Sequence, residues 1–234
     1  YYELSQINSK SSLIEYAIEF YSNKLCIKNK YIDFFCALCL TYKGLTIDEL
    51  MILSSTNKLE IDSIIIIFKC FILKCGKYYK ITNTIFLKTF LDKYCYSENE
   101  KIKIHIKITE ALKYSQLNIR KLEEITNNYY LAHDYFQLKQ TVSSIENFIL
   151  LFNEQIKFDL FKFWKKLEEK GYDPIHEYDK SIELFNMHYN PKDEELFMIN
   201  IQMARFFKEL SEFESEITPD FRRPLIKGKI VQDI

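Results

Sequence analysis

The sequence predicts a mainly α-helical chain: three helices and one β-hairpin in a first unit, then an α-helical domain that runs into a long last helix. Three observations predict it. The 234 residues include only four glycines and four prolines, too few breakers for the tight turns of a many-stranded fold. Hydrophobic residues make up 47% and charged residues 28%, a composition that builds a globular core. Apolar residues recur at steps of three and four over most of the chain, the period of helices with one buried face.

Taken in order, Ser12-Leu13-Ile14-Glu15 reads as a capping box, opening a helix through about residue 25 with Leu13, Tyr16, Ala17, Phe20 and Tyr21 on one face. A second helix is expected from about 31 to 42, stopped by Gly44. Thr46-Ile47-Asp48-Glu49 is another capping box before a short helix, and after Ser54-Ser55-Thr56-Asn57 a third covers about 60–70. Phe71 to Lys74 and Tyr78 to Ile81 flank a turn at Cys75-Gly76, the one hairpin signal. Thr82-Asn83 then caps a helix carrying Ile85, Phe86, Thr89, Phe90 and Tyr94. Three helices followed by a ribbon make a winged-helix unit at about 30–96.

Between 97 and 116 two periods compete. Ile102, Ile104, Ile106 and Ile108 alternate like a strand, yet Ser97-Glu98-Asn99-Glu100 caps a helix and Ile104, Ile108, Ala111 and Leu112 share a helical face. No partner strand lies nearby, so a helix is expected. Further helices follow at about 120–133, 136–144, 146–153, 158–170, 174–187 and 192–210. The last places Leu196, Ile199, Met203, Phe206 and Leu210 in a narrow stripe suited to packing on another helix. The domain plan is then a lead-in helix from an upstream domain (1–29), the winged helix (30–96), a helical linker domain (97–190), a further helix (191–217) and an extended basic tail (218–234).

Several chemistries find no support in the residues. Lys and Arg total 32 against 33 acids, without the basic excess of nucleic-acid binders. No apolar run reaches a membrane span and no signal peptide is visible. A chain opening Tyr1-Tyr2-Glu3 is expected to be part of something longer. Cys36-x-x-Cys39 with Cys70-x4-Cys75 has the count for a four-thiolate zinc site. The first pair sits inside an apolar helical run, where reduced, buried thiols are ordinary core. No glycine precedes Lys-Ser/Thr, so no phosphate-binding loop exists. His105, His133, His176 and His188 lack ligand spacing, and Glu123-Glu124 and Glu194-Glu195 read as solvated charge on helices. The third helix begins with acids and continues apolar, which suits protein contact better than a DNA groove, leaving Lys74, Lys77 and Lys80 as the hairpin's basic cluster. No enzyme, no cofactor and no metal are expected.

Phe35-Cys36-Ala37-Leu38-Cys39-Leu40-Thr41-Tyr42-Lys43-Gly44-Leu45-Thr46-Ile47-Asp48-Glu49-Leu50 resembles the start of the winged helix that follows the NACHT ATPase in nephrocystin-type NACHT–tetratricopeptide proteins, members of the signal-transduction ATPases with numerous domains. Leu131-Ala132-His133-Asp134-Tyr135 is similar to that family's helix end, with His133 where Gly is usual and Tyr135 for Trp. Lys157 to Trp164, followed by Gly171-Tyr172-Asp173-Pro174, resembles a further segment, and the helix at 192–210 looks like the beginning of a tetratricopeptide (TPR) array. Similarity runs over about 10–212. Asn83 stands where the family has a nucleotide-sensing histidine. Asn cannot carry that charge, and its role as a helix cap is the expected one.

The resemblance implies a non-catalytic protein-interaction and regulatory module of a NACHT/TPR-type signalling or ciliary scaffold protein. Its partners are then proteins, among them upstream NTPase-like and downstream TPR regions of the same polypeptide, with neither nucleic acid nor membrane. The implied location is cytoplasmic, at a cilium, flagellum or the cytoskeleton. The alternative is a purely structural component of a cytoskeletal or axonemal assembly. Phe221, Arg222, Arg223, Lys227 and Lys229 of the tail are the candidate protein-contact residues, suited to an acidic groove.

Overall fold

The computed structural model describes residues 9–24 and 28–217, which form twelve helices and one two-stranded sheet. The tail residues Phe221, Arg222, Arg223, Lys227 and Lys229 lie outside the described residues, as does Cys26. The chain divides into two compact units, one through Val142 and one from Ser143.

The first unit opens with α1 (Lys10–Lys24). Its start differs from the sequence expectation: Ser9, not Ser12, is the cap, its hydroxyl accepting the Ser12 N–H at 3.0 Å. Both serines can cap, and the earlier one adds a turn to the helix. Helix α2 (Lys28–Leu40) ends two residues earlier than expected, because Thr41–Gly44 leave the helix to bond elsewhere. Helix α3 (Ile47–Ser54) has its capping box as read, Thr46 with Glu49. Helix α4 (Lys58–Ile67) starts earlier than expected, because Asn57 and Glu60 form a second reciprocal capping box.

Strands β1 (Ile72–Cys75) and β2 (Tyr78–Ile81) pair antiparallel in the register Ile72↔Ile81 to Cys75↔Tyr78. The α2–α3 loop adds a bridge to this ribbon: Leu45 and Tyr79 exchange both backbone hydrogen bonds, at 2.8 and 2.9 Å. Gly44 makes that approach possible. Its φ is +94°, and a Cβ there would sit 3.0 Å from the Tyr79 carbonyl oxygen.

Helix α5 (Thr84–Tyr94) is capped by Asn83, whose Oδ1 accepts the Phe86 N–H at 2.9 Å. The ambiguous stretch is helix α6 (Glu98–Leu112): Ile104, Ile108, Ala111 and Leu112 are buried and Ile106 is exposed, the helical face winning over the alternation. Helices α7 (Ile119–Leu131) and α8 (Tyr135–Ser143) follow. The core centres on α2, packed against α3, α5, α6 and β2. Phe35 sits among Tyr31, Phe68, Phe86 and Phe90, with ring centroids 4.6–5.4 Å away. Each such ring removes enough apolar surface from water to contribute about 1.5–3 kcal/mol.

The second unit holds α9 (Ile145–Leu151), α10 (Lys157–Glu168), α11 (Pro174–Tyr189) and α12 (Asp193–Ile217). Leu160, Phe161, Trp164 and Leu167 are all buried, as their spacing predicts, and so are Ile199, Met203, Phe206 and Leu210 of the last stripe. The shared core is aromatic. Phe206 meets Phe148, Phe152, Phe161 and Tyr178 with centroids 5.5–5.7 Å apart, and the Trp164 indole N–H donates to the Tyr178 hydroxyl at 3.1 Å. Across the surface, Arg205 of α12 bonds Glu154 and Glu209, and Lys157 pairs with the same two acids.

Candidate functional site

The loop that ends α2 creates the first surface of interest. The Thr41 N–H still closes on the Ala37 carbonyl, but the Thr41 hydroxyl and the next two N–H groups turn to α7 for their acceptor. Glu124 takes the Thr41 hydroxyl at 2.8 Å, the Tyr42 N–H at 2.8 Å and the Lys43 N–H at 2.6 Å. The Gly44 N–H closes on the Thr41 hydroxyl at 3.0 Å. Glu124 is fully buried, which corrects its reading as solvated charge: the bonds that hold it come from residues 81–83 positions away. A carboxylate so buried is held by its donors, here charge-assisted ones. Glu123 is no free charge either, since it pairs with Lys43 at 2.8 Å.

The network extends inward. Asn128 Nδ2 donates to the Glu124 carbonyl and carboxylate at 2.7 and 2.9 Å, so its Oδ1 faces His105 Nδ1 at 2.7 Å. That acceptor requires the proton on Nδ1. His105 is buried, and burial pulls its pKa below the ordinary value.

A second carboxylate shapes the outer wall. Glu49 accepts its own capping N–H from Thr46 at 2.8 Å, the Ser115 hydroxyl at 2.9 Å and the Arg120 guanidinium at 2.7 Å. Arg120 also donates to the Gly44 carbonyl, and its guanidinium lies 4.6 Å from the centroid of the Tyr78 ring. These ties join α3, the hairpin and the α6–α7 loop around an open cleft of about 730 Å³. Arg120, Glu49, Tyr78 and Tyr79 form its floor, while Lys58, Lys74, Lys77, Asp48 and Tyr114 stand at its rim.

The second surface belongs to the other unit. Helices α11 and α12 each bury one side and leave apolar residues exposed on another. Leu184, Met187 and Tyr189 on α11 and Phe197, Met198 and Ile201 on α12 are all exposed, Met187 by 78%. Leu184 and Met187 share one side of α11, and Phe197, Met198 and Ile201 one side of α12, while the Tyr189 hydroxyl bonds Glu146; exposed apolar residues so grouped mark a contact surface.

Asn83 is exposed and its side-chain oxygen is engaged as the α5 cap. Of the cysteines, Cys36 and Cys95 are buried while Cys70 and Cys75 are exposed, so the two pairs do not converge. Burial drives the Cys36 and Cys39 thiols far above their ordinary pKa. Among the described residues, no three His, Cys, Asp or Glu side chains are placed to hold a metal ion, and no helix is long and apolar enough to cross a membrane. His133 takes φ +58° at the end of α7, where the Asp134 N–H reaches the Tyr129 carbonyl. That left-handed position explains why glycine suits it. The roles of Glu124, Glu49 and Arg120 at this surface are not visible in the sequence; a buried acid inside an amphipathic helix leaves no local mark.

Over 184 residues, 72% of this chain, the sequence is 23% identical to a TPR repeat-containing protein of Dictyostelium discoideum. The match covers 11% of that protein, so the chain spans about a tenth of its relative's length. No family model and no solved structure matches the chain.

Proposed function

We propose that this chain is a non-catalytic protein-interaction segment of a larger helical-repeat protein, in which α11 and α12 form a helix pair that stacks on a further pair. The exposed apolar sides of α11 and α12 carry this reading: water is a poor neighbour for Met187, Phe197 and Ile201, and a further helix pair is the geometry that buries such sides. The similarity to a TPR repeat-containing protein supports it. The narrower form makes α2–α4 with the hairpin a winged helix, coupling an upstream NTPase-like domain to downstream repeats as the nephrocystin resemblance implies. The element order and the Leu45–Tyr79 bridge favour that form.

The test is burial of these sides in the longer polypeptide. With Cys26, Cys70 and Cys75 replaced by Ser, Met187→Cys and Met198→Cys should react freely with a maleimide in the 234-residue chain. In the full-length gene product they should react at least about tenfold more slowly, as buried side chains do. Equal reactivity in both would remove the proposal.

A further inference from the structure

We infer that the cleft bounded by α3, the hairpin and the α6–α7 loop docks an acidic polypeptide segment bearing one apolar anchor residue. The inference rests on the chain being a protein-binding module, but it uses a surface on a different unit from α11 and α12.

Charge points to an acidic partner. The cleft has four cations against two carboxylates, in a chain with a formal net charge of −1. Arg120 is occupied by Glu49, the Gly44 carbonyl and the Tyr78 ring. That leaves Lys58, Lys74 and Lys77, all exposed, none with a carboxylate partner among the described residues, against Asp48 alone. Elsewhere many lysines are matched with acids, as in Lys43–Glu123, Lys107–Asp33 and Lys157–Glu209. Unmatched lysines gathered on one concave surface attract an anion and set the direction of its approach.

Rigidity favours the same use. The hairpin that carries Lys74 and Lys77 is tied to the α2–α3 loop through Leu45–Tyr79 and to α7 through Arg120 over the Tyr78 ring, so the two ammonium groups are presented on a fixed ribbon. Lys74 Nζ and Lys77 Nζ each lie 5.5 Å from a tyrosine ring centroid, which further limits their motion. Presenting groups in a fixed arrangement lowers the ordering cost of association.

An apolar anchor point completes the surface. Tyr114, 84% exposed, and Ile52, half exposed, both line the cleft and add apolar surface beside the cations. A polypeptide segment with a large apolar side chain between acids matches both features. Nucleic acid matches them less well: Asp48 lies at the rim, and Glu60 and Asp62 of α4 follow Lys58 in sequence, so a phosphate backbone would meet acids close to the cations.

The test is fluorescence anisotropy with three labelled probes: a dodecapeptide of Asp and Glu around one Phe, its Asn/Gln counterpart, and a short DNA duplex. The acidic peptide should bind, weaken as salt rises, and bind more tightly than either other probe. Lys74→Glu with Lys77→Glu should weaken it about tenfold or more, and Tyr114→Ala about fivefold. The same charge change placed elsewhere, Lys103→Glu with Lys170→Glu, should alter it less than about twofold. All these side chains are exposed, so circular dichroism should be unchanged. The inference fails if the acidic peptide does not bind, if the two charge reversals act equally, or if the duplex binds more tightly. None of these outcomes touches the maleimide result on α11 and α12, so the two ideas fail separately.

Discussion

The unit through Val142 and the unit from Ser143 are both helical, yet different interactions fix their geometry. In the first, buried polar bonds between residues far apart in sequence set where the loops and helices go. Glu124 gathers donors from the α2–α3 loop, and Glu49 ties α3 to Ser115 and Arg120. Both units have interlocked aromatic rings, but in the second the rings act without a comparable buried polar network. Phe148, Phe152, Phe161, Tyr178 and Phe206 interlock, with the Trp164–Tyr178 hydrogen bond as the buried polar contact between two of its side chains. Polar networks specify one arrangement because an unpaired buried group is expensive, whereas packed rings tolerate substitution of like for like. The first unit should therefore be brittle to loss of a single charge, and the second to loss of ring volume.

The largest effect should come from Glu124→Leu. It removes the acceptor for three donors around Thr41 and one from Asn128, and buried donors left without partners cost about 3–5 kcal/mol in total. Amide exchange should accelerate in α2 and α7 while α10 stays protected. Protection unchanged in α2 would erase the contrast between the units.

A smaller loss is expected from Trp164→Phe, which keeps most of the ring volume but removes the indole donor to the Tyr178 hydroxyl. Losing one buried hydrogen bond costs about 0.5–1.5 kcal/mol, and a double-mutant cycle of Trp164→Phe and Tyr178→Phe in urea should return a coupling of that size. If the coupling is clearly larger, the ring cluster depends on polarity more than the comparison allows.

The smallest effect is a pH dependence at His105. Burial lowers its folded-state pKa below the ordinary 6.5, so the unfolded chain binds the proton more readily. Stability from this group is complete above that ordinary value and falls as the pH drops through the window below it, by no more than about 1.4 kcal/mol per pH unit. Thermal melting at pH 7.5 and 5.5 should show the decline, and His105→Gln should flatten it (the amide still reaches toward Asn128 without titrating). A slope unchanged by His105→Gln would assign the decline to other groups.

Asn83 and Glu124 mark the two ends of what the sequence makes legible. The caps at Thr46, Asn83 and Ser97 are visible because a cap and its donor lie within three residues of each other. The same locality makes the α6 and α12 stripes readable, and lets the last stripe predict Met203 and Phe206 as core. Ser9 and Asn57 displace the expected helix starts because neighbouring polar residues compete for the same role, a contest decided by a fraction of a turn. Glu124 sits next to Glu123 in a charged helical run, and nothing within four residues announces that the α2–α3 loop will deliver three donors to it.

The sequence alone determined which segments are helical, where most of them begin, that one hairpin interrupts them, and which stripes want burial, because each of these follows from interactions along a few turns of chain. Only the tertiary structure decided which acids are buried, that Arg120 is occupied while Lys58, Lys74 and Lys77 are left unmatched, and that Met187, Phe197 and Ile201 stay exposed. Those outcomes depend on which surfaces meet across dozens of residues, and charge or hydropathy read along the chain does not record the meeting.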